Sequence, residues 1–202
     1  MGFLASRRPR PPSRIGRGRV TTCSLAVLIL AVALGPQAEA THRPRIISIS
    51  FDERFAPVFF ARTVALRDLY APIGVRFHGA DNNDGGAILD EDDDWGVTGY
   101  SYPNILAFNR GGVMRDGGVP QPPEVVIFDV PVSHFEIKAE GSFGNQVCVF
   151  LRAFDSSGRL VARGAIITDG TLRPVSVDGE MIAKVFIVSD ADSLVLDDLV
   201  AW

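Results

Sequence analysis

Short apolar runs, each broken by a turn signal within a few residues, are what most restrict the fold of this chain. From Arg45 to Asp52 the side chains alternate, with Ile47, Ile49 and Phe51 set against Ser48, Ser50 and Asp52. That is the period-2 pattern of a half-buried strand. Comparable runs cover 74–77, 105–108, 125–130, 133–139, 146–154, 160–167, 173–177, 181–188 and 193–202. Asp155-Ser156-Ser157-Gly158 reads as a four-residue hairpin loop. Asp178-Gly179 reads as a further reversal in which the glycine takes positive φ. Helical patterning is confined to Ala65–Tyr70, a turn or two that Pro72 stops. Strands at this spacing predict an all-β fold, an antiparallel β-sandwich. Residues 80–103, rich in Asp, Asn and Gly, and 109–123, rich in Gly and Pro, are expected to be long surface loops.

The first 40 residues follow a different plan. Arg7, Arg8, Arg10, Arg14, Arg17 and Arg19 precede an apolar run, Leu25–Leu34, then Gly35-Pro36 and Ala38-Glu39-Ala40. Basic, apolar, helix-breaking and small-x-small segments in that order make a secretory signal peptide. The apolar run is short for the ~30 Å of a bilayer's hydrocarbon core. Residues 1–40 are therefore expected to be cleaved, leaving 41–202 as one secreted or periplasmic sandwich domain with no stable membrane span. Arg7-Arg8 lacks the continuation of a twin-arginine signal. Cleavage removes six of the 20 basic residues and one of the 24 acids, so the mature chain carries a formal charge of −9. An acidic chain without a basic stripe argues against nucleic acid and permits divalent cations. Only Cys148 remains, inside the apolar run Val147–Phe150. One cysteine makes no internal disulfide, and this one reads as a small buried hydrophobe.

Several segments together carry a resemblance. They are Ile49-Ser50-Phe51-Asp52-Glu53, the stretch from Leu66 to Phe77, Ser101-Tyr102-Pro103-Asn104-Ile105-Leu106, and the closing Leu194-Val195-Leu196-Asp197-Asp198-Leu199. In layout the mature chain resembles the secreted bacterial jelly-roll modules found among PEP-CTERM exosortase substrates, which are akin to galactose-binding-like, discoidin-like carbohydrate-binding sandwiches. The resemblance implies a jelly roll whose first and last strands pair antiparallel, with calcium near the strand ends. No Pro-Glu-Pro sorting signal follows the last strand, so release in soluble form is expected.

Asp197 and Asp198 interrupt an apolar strand, and alternation turns one of them toward the sandwich interior or its rim. A buried carboxylate needs a partner. If Trp202 lies opposite Arg45, Ser50 lies opposite Asp197 and Asp52 sits two residues along. Asp52, Glu53, Asp197 and Asp198 are then candidate calcium ligands, since calcium takes about six to eight oxygens. The alternative is that these acids bond backbone amides or Arg45. The acidic run Asp90–Asp94 and the stretch Asp81–Gly85 form a second cation candidate, or a solvated loop.

Trp95, Tyr100 and Tyr102 suit a polysaccharide or glycan site, because sugar C–H faces stack on aromatic rings. The alternative is that they fold back as loop packing. There is no His-x-x-His, Cys-His or Gly-x-Ser-x-Gly pattern, and no catalytic residue is picked out. The sequence therefore points to a non-catalytic binding module, calcium-stabilised and carbohydrate-binding-like. A structural or adhesive extracellular protein is the alternative, and a hydrolase the less favoured one.

Overall fold

A computed structural model describes residues 45–79, 85–93 and 95–202. The signal-peptide reading of 1–40, and the acids Asp81, Asp84 and Asp94, lie outside the described residues. Nine strands occur among those described: β1 (Ile47–Ile49), β2 (Val75–His78), β3 (Ala87–Asp90), β4 (Asn104–Asn109), β5 (Glu124–Gly141), β6 (Cys148–Phe154), β7 (Leu160–Ile167), β8 (Arg173–Ser189) and β9 (Ser193–Ala201). All paired strands run antiparallel, in the order β3-β4-β9-β5-β8-β6-β7, with β1 on β9 and β2 on β5. The all-β sandwich expected from the run pattern is the observed fold. The helical turn expected at Ala65–Tyr70 is replaced by turns and a 3-10 turn at Ala71–Ile73.

Two long strands make the sandwich. β5 spans 18 residues and β8 spans 17, and their mutual register shifts between Ile127 and Val132 and again before His134. At those bulges both strands bend from one layer to the other. The first layer is β3, β4, β9, β1 and the second half of β5 with the first half of β8. The second layer is β2, the first half of β5, the second half of β8, β6 and β7. Asp178-Gly179 is therefore not a reversal. It lies inside β8 at the bend, where Met181 takes a φ of 58°. By contrast Asp155–Gly158 closes a hairpin as expected, with Gly158 at a φ of 85° and its N–H bonded to Asp155 O.

Between the layers alternation buries one set of side chains. Ile49, Leu106, Phe135, Ile137 and Leu196 come from the first layer, and Phe77, Val126, Leu151, Val185 and Ile187 from the second. Full burial of each large side chain contributes about 1.5–3 kcal/mol. A second, smaller core lies on the outer face of the first layer. There Leu89, Ile105, Ala107 and Val195 pack against Trp95, Val97 and Leu172. The 80–103 stretch is thus part strand and part roof. β3 is a short buried run that its glycine- and acid-rich flanks disguise in the sequence.

Candidate functional site

The register of β1 on β9 positions the acids. Ile47 pairs with Ala201 and Ile49 with Leu199, one residue away from the register that sets Ser50 against Asp197. Directly opposed residues share a face, and this register puts four buried apolar side chains together. A bulge in β9 then separates the two acids. Glu136 pairs with Val200 but Lys138 with Asp197, and Asp198 takes a φ of 46°, which Asp tolerates better than most residues. Leu196 and Leu199 both stay inward. Asp197 lies on the outward face with Val195, fully buried beneath the 95–103 roof rather than between the sheets.

Each of the four acids has protein partners. Asp197 accepts from the Ser101 N–H at 2.5 Å, the Ser101 hydroxyl at 3.0 Å and the Asp198 N–H at 2.8 Å. Burial pushes its carboxyl up to about 6, although the Ser101 amide pulls the other way. Asp198 pairs with Lys138 Nζ at 2.7 Å, and that bond holds the Lys138 ammonium above its ordinary range. Asp52 Oδ1 accepts from the Asn104 N–H at 2.8 Å. Glu53 accepts from the Ser50 N–H and the Tyr70 hydroxyl, both at 3.1 Å. Burial first, and Glu53 second, hold the Tyr70 phenol far above its usual range.

Among the described residues no group of three or more His, Cys, Asp or Glu is placed to share a metal ion. Each of the four acids faces a donor of the protein, and the two that stand side by side, Asp197 and Asp198, are tied to different ones, Ser101 and Lys138. Chelation is accordingly expected to leave the melting temperature within about 1 °C of its value in calcium. A rise of roughly 5–10 °C on adding calcium, the size expected at a hundredfold excess over Kd, would put an ion on acids outside this set.

What these acids build is a wall. Asn104 is buried, and its amide donates to Phe51 O at 3.0 Å and to Arg54 O at 2.6 Å. Asp52 and Glu53 tie down the same turn, in which buried Phe51 is held at a φ of 66°, a conformation costly for a bulky residue. Over-determined in this way, the turn projects Arg54 and Phe55 outward. Beside them lies a groove of about 830 Å³, lined by 54–58, 62–64, Leu69, Ile88, Asp90 and Arg115. Phe55 is 98% exposed. Arg54 sits 5.5 Å from the Tyr70 ring and donates to Leu69 O, and Arg62 sits 5.8 Å from the Phe59 ring. Arg115 reaches the groove because its N–H bonds Thr63 O at 2.9 Å. Among the described residues neither Arg62 nor Arg115 is in an ion pair.

The aromatic set divides. Trp95 is buried, stacked on Phe143 at 6.1 Å and met edge-on by Phe60 at 5.6 Å. Its ring is roof packing with no free face for a sugar, and among the described residues its indole N–H has no partner. Tyr100 is half-buried against the same cluster. Tyr102 alone of the three is open, at 70% exposure. The groove residues were missed in the sequence, yet Arg54-Phe55-Ala56-Pro57-Val58-Phe59-Phe60 carried a signal. It is apolar without a helix or strand period and is interrupted by proline, so it cannot bury all of its rings in a regular element.

Among the described residues the fold and this groove define an antiparallel β-sandwich with a loop-built cleft and no helix long and apolar enough to cross a membrane. No protein-family model matches the chain. No curated protein matches it either. Among solved structures it is similar to a DUF4465 family protein from Bacteroides caccae, with 12% identity, a TM-score of 0.50, and coverage of 79% of this chain and 99% of that one. The K2 cleaved adhesin domain of Lys-gingipain gives 13% identity, a TM-score of 0.46 and coverage of 78% and 99%. The CBM22-1–GH10 modules of Clostridium thermocellum endo-1,4-β-D-xylanase 10B, complexed with xylohexaose, give 12%, 0.37, and 73% and 28%. At such identities the likeness concerns the fold alone.

Proposed function

We propose that this chain is an exported, non-catalytic binding module of the PEP-CTERM-substrate type, and that it holds a glycan in the groove beside the β1–β2 connection. The groove carries the reading. It sets an almost fully exposed phenylalanine, carried by a turn fixed through Asn104 and Asp52, beside Arg62 and Arg115, which are in no ion pair among the described residues. Exposed large apolar side chains beside convergent polar groups are what a ligand cleft presents, and a pre-fixed turn lowers the ordering cost of binding. The export plan of residues 1–40 supports an extracellular setting. Burial raises the Glu124 carboxyl to about 8, and this side chain is fully buried and is not among those lining the groove.

The test is a glycan screen of the protein beside its Phe55→Ala and Arg115→Ala variants. Each side chain is exposed, so both variants should keep the parent's melting temperature within about 2 °C. Each should bind the best glycan about tenfold more weakly, the usual scale for truncating a central contact. A neutral glycan that the protein binds and that both variants hold equally well would remove the groove from the reading.

A further inference from the structure

The two layers end differently on their outer sides. The outer face of the first is roofed by Trp95, Val97 and Leu172. On the second layer β6 buries Val149, Leu151 and Ala153 inward, so alternation turns Phe150, Arg152 and Phe154 outward. Register places Arg163 of β7 directly opposite Arg152, and Phe186 of β8 on its other side. Lys184 lies opposite Phe154. Phe150 is 41% exposed, Arg152 and Arg163 are exposed, and a shallow depression of about 730 Å³ runs between them.

The charge on this face is uncompensated. Lys184 Nζ sits 5.8 Å from the Phe154 ring and 5.7 Å from the Phe186 ring, which meet edge-on at 5.3 Å. Among the described residues none of Arg152, Arg163 and Lys184 has a carboxylate within ion-pair distance. Like charges directly opposite on neighbouring strands destabilise a sheet. Here two arginines oppose each other with a lysine close by, in a chain whose acids outnumber its bases, 24 to 20. Placing one acid among them would remove the repulsion. An anionic ligand does so as well, and only when it is bound.

We propose that this open face binds an acidic polysaccharide, with its carboxylates on Arg152 and Arg163 and its sugar rings against Phe150 and Phe154. Guanidinium forks match planar carboxylates through paired hydrogen bonds. The two phenylalanines stand about 13 Å apart along β6, four residues at strand rise, so an extended chain meets both rings with the arginines between them. A neutral glycan would leave both guanidiniums uncompensated. A nucleic acid demands a longer basic stripe than three cations on a net acidic chain. The site is separate from the groove, and different variants test the two.

The experiment is affinity electrophoresis of the protein through gels containing polygalacturonate, alginate or neutral dextran, with a parallel sedimentation against phosphatidylserine vesicles. Retardation by at least one of the two polyuronates is expected, weakening as salt is raised, with none from dextran or vesicles. The Arg152→Gln/Arg163→Gln variant should lose about tenfold in affinity while melting at or above the parent temperature, because the repulsion is relieved. That paired result distinguishes a lost contact from a damaged fold. Absence of retardation by both polyuronates would overturn the proposal. So would equal retardation by dextran, binding to the vesicles, or a double variant that binds as the parent does.

Discussion

Glu124→Gln is expected to raise the melting temperature by about 10 °C at pH 9 and to leave it nearly unchanged at pH 4. Glu124 opens β5 with a fully buried side chain. One carboxyl oxygen accepts from the Gly86 N–H, and among the described residues the other has no hydrogen-bond partner. Gly85 and Gly86 exist for this contact. A Cβ on Gly85 would collide with both carboxyl oxygens, and one on Gly86 would stand 2.6 Å from Leu106 Cδ1 and 2.9 Å from Ala107 O. Burial drives the carboxyl up to about 8 from an ordinary 4.5, against the pull of the Gly86 and Val125 amides.

The folded state therefore keeps a proton that the unfolded chain has released. Its contribution is complete below about pH 4.5 and falls as pH rises toward 8. At 1.36 kcal/mol per pKa unit the loss approaches about 5 kcal/mol, which in a chain of this size is roughly 10 °C or more. Glutamine mimics the neutral acid at every pH and removes the slope. Thermal melts of both proteins from pH 4 to pH 9 check it, and a parallel pair of curves would show that Glu124 is ionised in the fold.

Glu124 also marks where sequence reasoning stops. Alternation identified nearly every strand, because a period of two is imposed by the pleat and survives in one sequence. It also split β5 and β8 in two, at Pro131 and at Asp178-Gly179, because a proline or Asp-Gly signals a break in the ladder without saying whether the chain reverses or merely changes layer. The acids of β9 were visible as an anomaly. Their answer, a bulge that separates Asp197 from Asp198, depends on a single positive φ that no pattern encodes. Trp95 and its neighbours were visible as aromatics, but whether a ring faces solvent or roofs a sheet is settled by Phe60 and Phe143, distant in sequence. Arg152 and Arg163 illustrate the same limit. Each is an ordinary outward strand residue, and only register makes them a pair.

Asp197→Ala is expected to cost about 3 kcal/mol and to lower the melting temperature by about 10 °C at pH 7. The change leaves the Ser101 N–H, the Ser101 hydroxyl and the Asp198 N–H without their acceptor in a buried site, and each orphaned donor costs about 1–3 kcal/mol before relaxation. Ser101 leads directly to Asn104, whose amide holds the Phe51–Arg54 turn. The damage should therefore reach the groove. Hydrogen exchange should rise at Ser101, Asn104 and Phe51 while β6 and β7 keep the parent's protection. Asp197→Asn separates charge from shape. With the folded carboxyl at about 6 and the ordinary value at 3.8, the parent loses stability as pH climbs through that window. Asparagine does not titrate, so its deficit relative to the parent should be larger at pH 4 than at pH 7. A deficit independent of pH would mean that Asp197 keeps an ordinary carboxyl in the fold. Exchange that rises equally in β7 would mean that the acid supports the whole sandwich and not the wall of the groove.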